Sequence, residues 1–197
     1  MKLRNALAAV SLLALTACAT PTPLRYYTLS AAQPPTHGST GIAPDYRIAI
    51  GPVSLPESLD RPHILLRVTA NRYALAENDR WAEPLKREIP RVVAERIGEQ
   101  LPAALALAHA QYSGPEADYR VLIDVLRFEM TPGVSAALDV LWTLQKRGAG
   151  RLWQARSAFV EPVRAPGVAA LVDAQKLALA RLSDEITGVL KARAKPD

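Results

Sequence analysis

Tyr119-Arg120-Val121-Leu122-Ile123-Asp124-Val125-Leu126-Arg127-Phe128 and, after a short polar break, Ala136-Ala137-Leu138-Asp139-Val140-Leu141-Trp142-Thr143-Leu144 are the runs on which the fold turns. In the first run Tyr119, Val121, Ile123 and Val125 fall on one side of a strand. Leu122, Leu126 and Phe128 fall on the other, a pattern that predicts burial on both faces. In the second run Leu138, Val140, Trp142 and Leu144 alternate with Asp139, Thr143 and Gln145, the period of a strand with one face in a core. Arg147-Gly148-Ala149-Gly150 supplies a hairpin loop, and residues 152–160 supply a third strand, completing an antiparallel meander.

Beyond the meander, Val168, Leu171, Val172, Leu179, Leu182, Ile186, Val189 and Leu190 mark a long amphipathic helix whose last turn is basic, as the helix dipole favours. Upstream, Leu85, Ile89, Val92, Val93, Ile97 and Leu101 recur at three- and four-residue steps and predict a first helix. Pro84 suits its first turn, Pro90 is expected to kink it, and Pro102 to end it. Residues 105–112 read equally as a helical tail or an edge strand. Residues 47–50 form a short strand stopped by Gly51-Pro52. Residues 63–69, with Ile64, Leu66 and Val68 on one face, turn at Ala70-Asn71 and return over residues 72–76. Residues 24–30 contain a first strand, and residues 31–44, rich in Pro, Gly, Ser and Thr, form an exposed loop. The expected architecture is α+β: a mainly antiparallel sheet covered by two amphipathic helices in a single domain. Alternation assigns Trp142 and Trp153 to the core. Trp81 follows the polar run Glu77-Asn78-Asp79-Arg80, which places it at a loop edge where an aromatic side chain can anchor a partner.

The amino terminus carries a different message. Lys2 and Arg4 precede an uncharged apolar run over residues 6–17, too short to span a bilayer and suited to a secretory leader. Leu15-Thr16-Ala17-Cys18 resembles the lipobox of bacterial lipoproteins, in which the cysteine sulfur takes diacylglycerol after cleavage just before it. Cys18 is the only cysteine, so it has no disulfide partner in an oxidising compartment. The expected organisation is a signal peptide over residues 1–17, a lipidated tether over 18–24 and one domain over 25–197. Several acyl chains make such an anchor stable where one is marginal. Ala19, where an aspartate commonly retains lipoproteins at the inner membrane, points to the outer membrane with the domain facing the periplasm.

The leader carries two of the 24 basic residues and none of the 19 acidic ones, so the mature chain of 180 residues keeps a net charge of +3. Those charges are interspersed, without the basic block that nucleic acid requires, and suit an anionic membrane surface. His37, His63 and His109 stand far apart without metal-ligand spacing. Ser54, Ser58 and Ser113 lack a nucleophile elbow, and no glycine-rich turn matches a phosphate loop. Glu57 and Asp60 read as parts of a polar loop after Pro56, with Asp60 held by the adjacent Arg61. No catalytic set, metal site or cofactor is expected.

Three blocks carry a family resemblance: Tyr26-Tyr27-Thr28-Leu29, then Leu55-Pro56-Glu57-Ser58-Leu59-Asp60-Arg61-Pro62, then Arg80-Trp81-Ala82-Glu83-Pro84-Leu85. With Phe128-Glu129 and Trp142 behind them, they resemble the ABC-type transport auxiliary lipoproteins, the PqiC-like group. His63 departs from the aliphatic or amide residue more familiar there. The resemblance implies a non-catalytic partner of a lipid-handling transport system, meeting at the outer membrane a route built with MCE-domain proteins. It nominates Leu55, Pro56, Asp60, Arg61, Pro62, Arg80 and Trp81 for partner docking or self-association into a homo-oligomer. The same residues could instead hold a turn and plug the core. A periplasmic lipid carrier or chaperone with a hydrophobic cavity is the alternative function.

Overall fold

The meander forms as the alternation requires, with one displacement. In this computed structural model, which describes residues 22–30, 44–111 and 116–193, β6 (Tyr119–Thr131), β7 (Ser135–Lys146) and β8 (Gly150–Pro162) pair antiparallel in sequence. Val121, Ile123 and Val125 stand opposite Leu144, Trp142 and Val140. Between Val125 and Arg127 the register shifts, and Phe128 and Met130 then stand opposite Leu138 and Ala136. A bulge adds one residue and reverses the alternation. Phe128 and Met130 therefore join the buried face of Ile123, while Leu126 is exposed. β6 is consequently buried mainly on one face, where the uncorrected alternation predicted two.

The remaining strands of this sheet are parallel. β2 (Tyr46–Ser54) lies between β5 (Ala104–Ala108) and β6, parallel to both, giving the order β5-β2-β6-β7-β8. Gly51-Pro52 does not stop β2. The strand passes through it with a register shift between Ile50 and Val53, and Gly51 sits at φ 104°, a backbone region that only glycine enters freely. β5 resolves the ambiguity after the first helix in favour of an edge strand. Helix α1 (Leu85–Gln100) packs on β2 and β5, and helix α2 (Val168–Arg193) on β6, β7 and β8. α1 accommodates Pro90 within a continuous helix, and the two helices also pack against each other. Ile89, Val93, Ile97, Leu179, Leu182 and Ile186 close over Ile50, Val121, Leu138 and Trp142, all fully buried. Trp142 meets the requirement that a buried indole N–H find an acceptor: it donates to Ser157 Oγ at 3.0 Å. Trp153 lies on the same face of edge strand β8 but stays partly exposed, under the Arg193 guanidinium at 4.4 Å, and is not a core residue.

A second sheet of three strands, β1 (Arg25–Tyr27), β4 (Arg72–Trp81) and β3 (His63–Thr69), has the order β1-β4-β3. β4 runs to Trp81, so the polar run Glu77–Arg80 is strand rather than loop. β1 runs parallel to β4, with Arg25 opposite Asp79 and Tyr27 opposite Trp81. β3 lies against β6 beyond Ser54–Asp124, the last pair that β2 makes with that strand. There Arg67 Nη2 and the Tyr73 hydroxyl donate to Glu129 Oε1 at 2.8 and 2.5 Å. The α+β domain is thus one unit, but its strands divide into two mixed sheets rather than a single, mainly antiparallel one. The leader, Cys18 and residues 31–43 lie outside the described residues.

Candidate docking site

The ends of β1 and β4 and the start of β3 meet at one corner of the molecule, beside the first turn of α1. The Trp81 amide donates to the Pro62 carbonyl at 2.8 Å, and the Ala82 amide to the Tyr27 carbonyl at 2.8 Å. Residues 55–62 reach this corner through a turn. Glu57–Leu59 is a 3-10 helix, with the Leu59 amide donating to Pro56 O at 2.9 Å and the Asp60 amide to Glu57 O at 3.1 Å. Leu55 packs against the core under the turn and Pro56 is half-buried.

Asp60, Arg61, Pro62, Trp81, Ala82, Glu83 and Pro84 line an open cleft of about 230 Å³. Trp81 is its floor rather than a projecting anchor: only 5 % exposed, it packs edge-on against Phe128 with ring centroids 6.1 Å apart. Asp60 accepts from Lys86 Nζ at 2.6 Å across the cleft rim, so α1 and not Arg61 holds it. Arg61 is exposed and makes no hydrogen bond or ion pair with any described residue. Arg80 turns back on its own strand, donating from Nη1 to the carbonyls of Glu77 at 2.6 Å and of Ala76 and Asp79 at 3.2 Å each. The seven nominated residues therefore divide. Asp60, Arg61, Pro62 and Trp81 line the cleft, Leu55 and Pro56 support it, and Arg80 stiffens the strand that delivers Trp81.

Glu88 was not nominated, yet it ties the corner together. Its side chain is fully buried on α1. The Thr28 hydroxyl donates to one carboxylate oxygen, the Leu29 amide to the other at 3.2 Å, and Arg91 Nη2 approaches at 3.4 Å. The spacing Leu85, Glu88, Ile89, Val92 contained the signal, because it places an acid within the apolar stripe of the helix. Arg25 grips the buried Asp79 with two hydrogen bonds, Nε to Oδ1 at 2.7 Å and Nη2 to Oδ2 at 2.9 Å. That grip, aided by the Tyr27 hydroxyl, holds the Asp79 carboxyl below its ordinary range despite burial. Among the described residues no cluster of His, Cys, Asp or Glu is arranged to hold a metal ion, and no helix is long and apolar enough to cross a membrane.

The sequence model of the family described as the ABC-type transport auxiliary lipoprotein component matches residues 27–187. The chain belongs to that family. No curated protein matches it. A solved structure of an uncharacterized protein superposes with a TM-score of 0.71 at 18 % identity, covering 86 % of this chain and 99 % of that one. A Xanthomonas campestris protein from a domain family of unknown function does so with a TM-score of 0.60 at 21 % identity, covering 76 % and 91 %. Both likenesses show the fold. In this auxiliary lipoprotein the three separate sequence blocks converge in space. Tyr27 meets Ala82, Pro62 meets Trp81, and Thr28 and Leu29 meet Glu88.

Proposed function

We propose that this auxiliary lipoprotein is lipidated on Cys18, faces the periplasm from the outer membrane, and serves a lipid-transport assembly as a non-catalytic docking module for its MCE-domain protein. The observation that carries the reading is the convergence of residues 27–29, 55–62 and 80–85 on one corner that carries an open cleft, with Arg61 at its rim and unpaired among the described residues. Building a corner from three distant segments fixes its shape, and an exposed arginine beside an apolar floor is the composition of an interaction hot spot. The tether favours the same corner. Seven residue steps separate Cys18 from Arg25, a reach of at most about 25 Å, so the acyl chains keep the corner near the bilayer. The cleft is smaller than the roughly 300–1,000 Å³ of ordinary ligand pockets, so this site suits docking better than holding a lipid.

The test compares two variants with the parent in envelope preparations. Cys18→Ser is expected to yield a folded chain without acyl mass, either soluble in the periplasm or uncleaved with its leader attached. A parent chain whose intact mass shows no lipid would overturn the anchor. Arg61→Glu is expected to lose capture of the MCE-domain protein while its melting temperature stays at the parent value. Unchanged capture would move the interface off the cleft, and a changed particle mass without changed capture would assign the cleft to self-association. Lipid extracted in stoichiometric amount from the delipidated domain would favour the carrier instead.

A further inference from the structure

The tether enters beside a surface that the docking site does not use. On β1, Tyr26 pairs with Arg80 of β4, which pairs with His63 of β3; further along the hairpin Leu75 pairs with Leu65, and Tyr73 with Arg67. Across the irregularity between His63 and Leu65, the buried positions of β4 change phase, with Ala76, Asp79 and Trp81 inward. Tyr26, Tyr73 and Leu75 consequently share the outward face of the three-stranded sheet, the face away from the core. Tyr26 is 65 % exposed, Leu75 41 %, and Leu24, the residue leading into β1, 50 %. Arg72, exposed and without an ion-pair partner among the described residues, stands at the turn of the β3–β4 hairpin. Glu129, next to this face, is neutralised by Arg67, which leaves Glu77 as the exposed acid on β4.

We infer that this outward face is a membrane seat: it lies flat on the phospholipid surface in which the acyl chains of Cys18 are held. The inference rests on the lipidation proposed above. Where the chain leaves the described structure decides the occupant. The tether spans at most about 25 Å, less than the roughly 40 Å width of a domain of this size, so the bilayer cannot reach the helical side while the β1 side stands free. Tethering at that range gives the surface a high effective concentration of lipid, so contacts too weak to bind a free domain are populated. The chemistry also suits an interface. Tyrosines seat at the headgroup level, leucines reach below it, and the flanking Arg72 meets anionic phosphates. Seated in this way, the domain keeps one orientation and holds the Asp60–Pro84 cleft at the membrane rim, facing sideways into the periplasm.

Acylation of Cys18, the only cysteine, leaves an introduced thiol as the single labelling site. The mature lipoprotein is prepared as Leu75→Cys and as Leu177→Cys, the latter an exposed position on α2 across the molecule. Each is labelled with an environment-sensitive dye and reconstituted in vesicles of phosphatidylethanolamine and phosphatidylglycerol that carry a headgroup nitroxide lipid. The dye at Leu75→Cys is expected to lose most of its emission, and the dye at Leu177→Cys to keep it. Adding Tyr26→Glu and Leu24→Glu to Leu75→Cys is expected to restore emission while the protein still floats with the vesicles and melts as the parent does. Equal quenching at the two positions, or quenching that survives the added charges, overturns the seat while leaving the anchor intact. A chain without acyl mass that fails to float overturns the anchor reading, and the seat with it.

Discussion

The three tryptophans show how one residue type takes its role from its neighbours. Trp142 is central, with sheet on both sides and α2 above, and its indole nitrogen is satisfied by Ser157. Trp153 shares the row that pairs Leu144 with β8, but β8 is the sheet edge and α2 covers the Trp153 ring with Arg193 of its last turn. The alternation gave the correct face and could not give the depth. Trp81 shows the opposite case, since a polar run before it suggested a loop, and a strand with an inward phase buried it. Its truncation therefore acts on the fold first. Trp81→Ala removes a buried ring packed on Phe128 and is expected to cost about 3–5 kcal/mol, the range for deleting a core aromatic, read as a lower urea midpoint. Arg61→Glu, at an exposed residue with no hydrogen bond or ion pair to any described residue, is expected to stay within about 0.5 kcal/mol of the parent. If Trp81→Ala left the midpoint unchanged, the ring would be a surface anchor after all.

Strands joined by tight turns were legible because their partners are neighbours in sequence. Ala70-Asn71 and Arg147–Gly150 announce the β3–β4 and β7–β8 hairpins directly. The parallel pairings of β2 with β5 and β6, and of β1 with β4, join segments separated by a helix or a long connection, and no local signal records them. Bulges were equally hidden, because one added residue alters the phase of a strand without altering its composition. Half of the docking corner was legible for the same reason: its turn and its tryptophan lie in recognisable blocks, whereas Glu88 acts through residues some 60 positions away. The latch that Glu88 forms can be tested at this scale. Glu88→Gln keeps the volume, and the Thr28 hydroxyl can turn to accept, but the amide N–H₂ must face either the Leu29 amide or Arg91, leaving one donor unmatched at about 1–3 kcal/mol. Local opening follows the weakest contacts, so the amides of residues 27–29 are expected to lose hydrogen-exchange protection while those of α2 keep theirs. Uniform loss across both would show that Glu88 supports the whole core and not the N-terminal strand alone.

Three of the ion pairs that join different parts of the molecule show how it responds to acid. Arg25 holds Asp79 across β1 and β4. Arg156 holds Asp139 across β7 and β8, with hydrogen bonds of 3.0 and 2.7 Å, and keeps its carboxyl below the usual range. Burial pushes the Glu129 carboxyl up, but Tyr73 and Arg67 more than offset it, so this group too stays low and links the two sheets. A carboxyl with a depressed folded pKa contributes stability that is complete above its unfolded value, here 3.8 for aspartate and 4.5 for glutamate. That contribution is lost as pH falls through the folded value. Stability is therefore expected to be level near neutrality and to decline as pH drops below about 4. Glu129→Gln separates this linkage from general acid unfolding. The variant cannot form the charged bridge at any pH, so it should be less stable than the parent at neutrality. It should also lose less on acidification, and the two urea midpoints should converge at low pH. Parallel curves with a constant gap would mean that the Glu129 charge contributes nothing, and that the hairpin is held to β6 by packing alone.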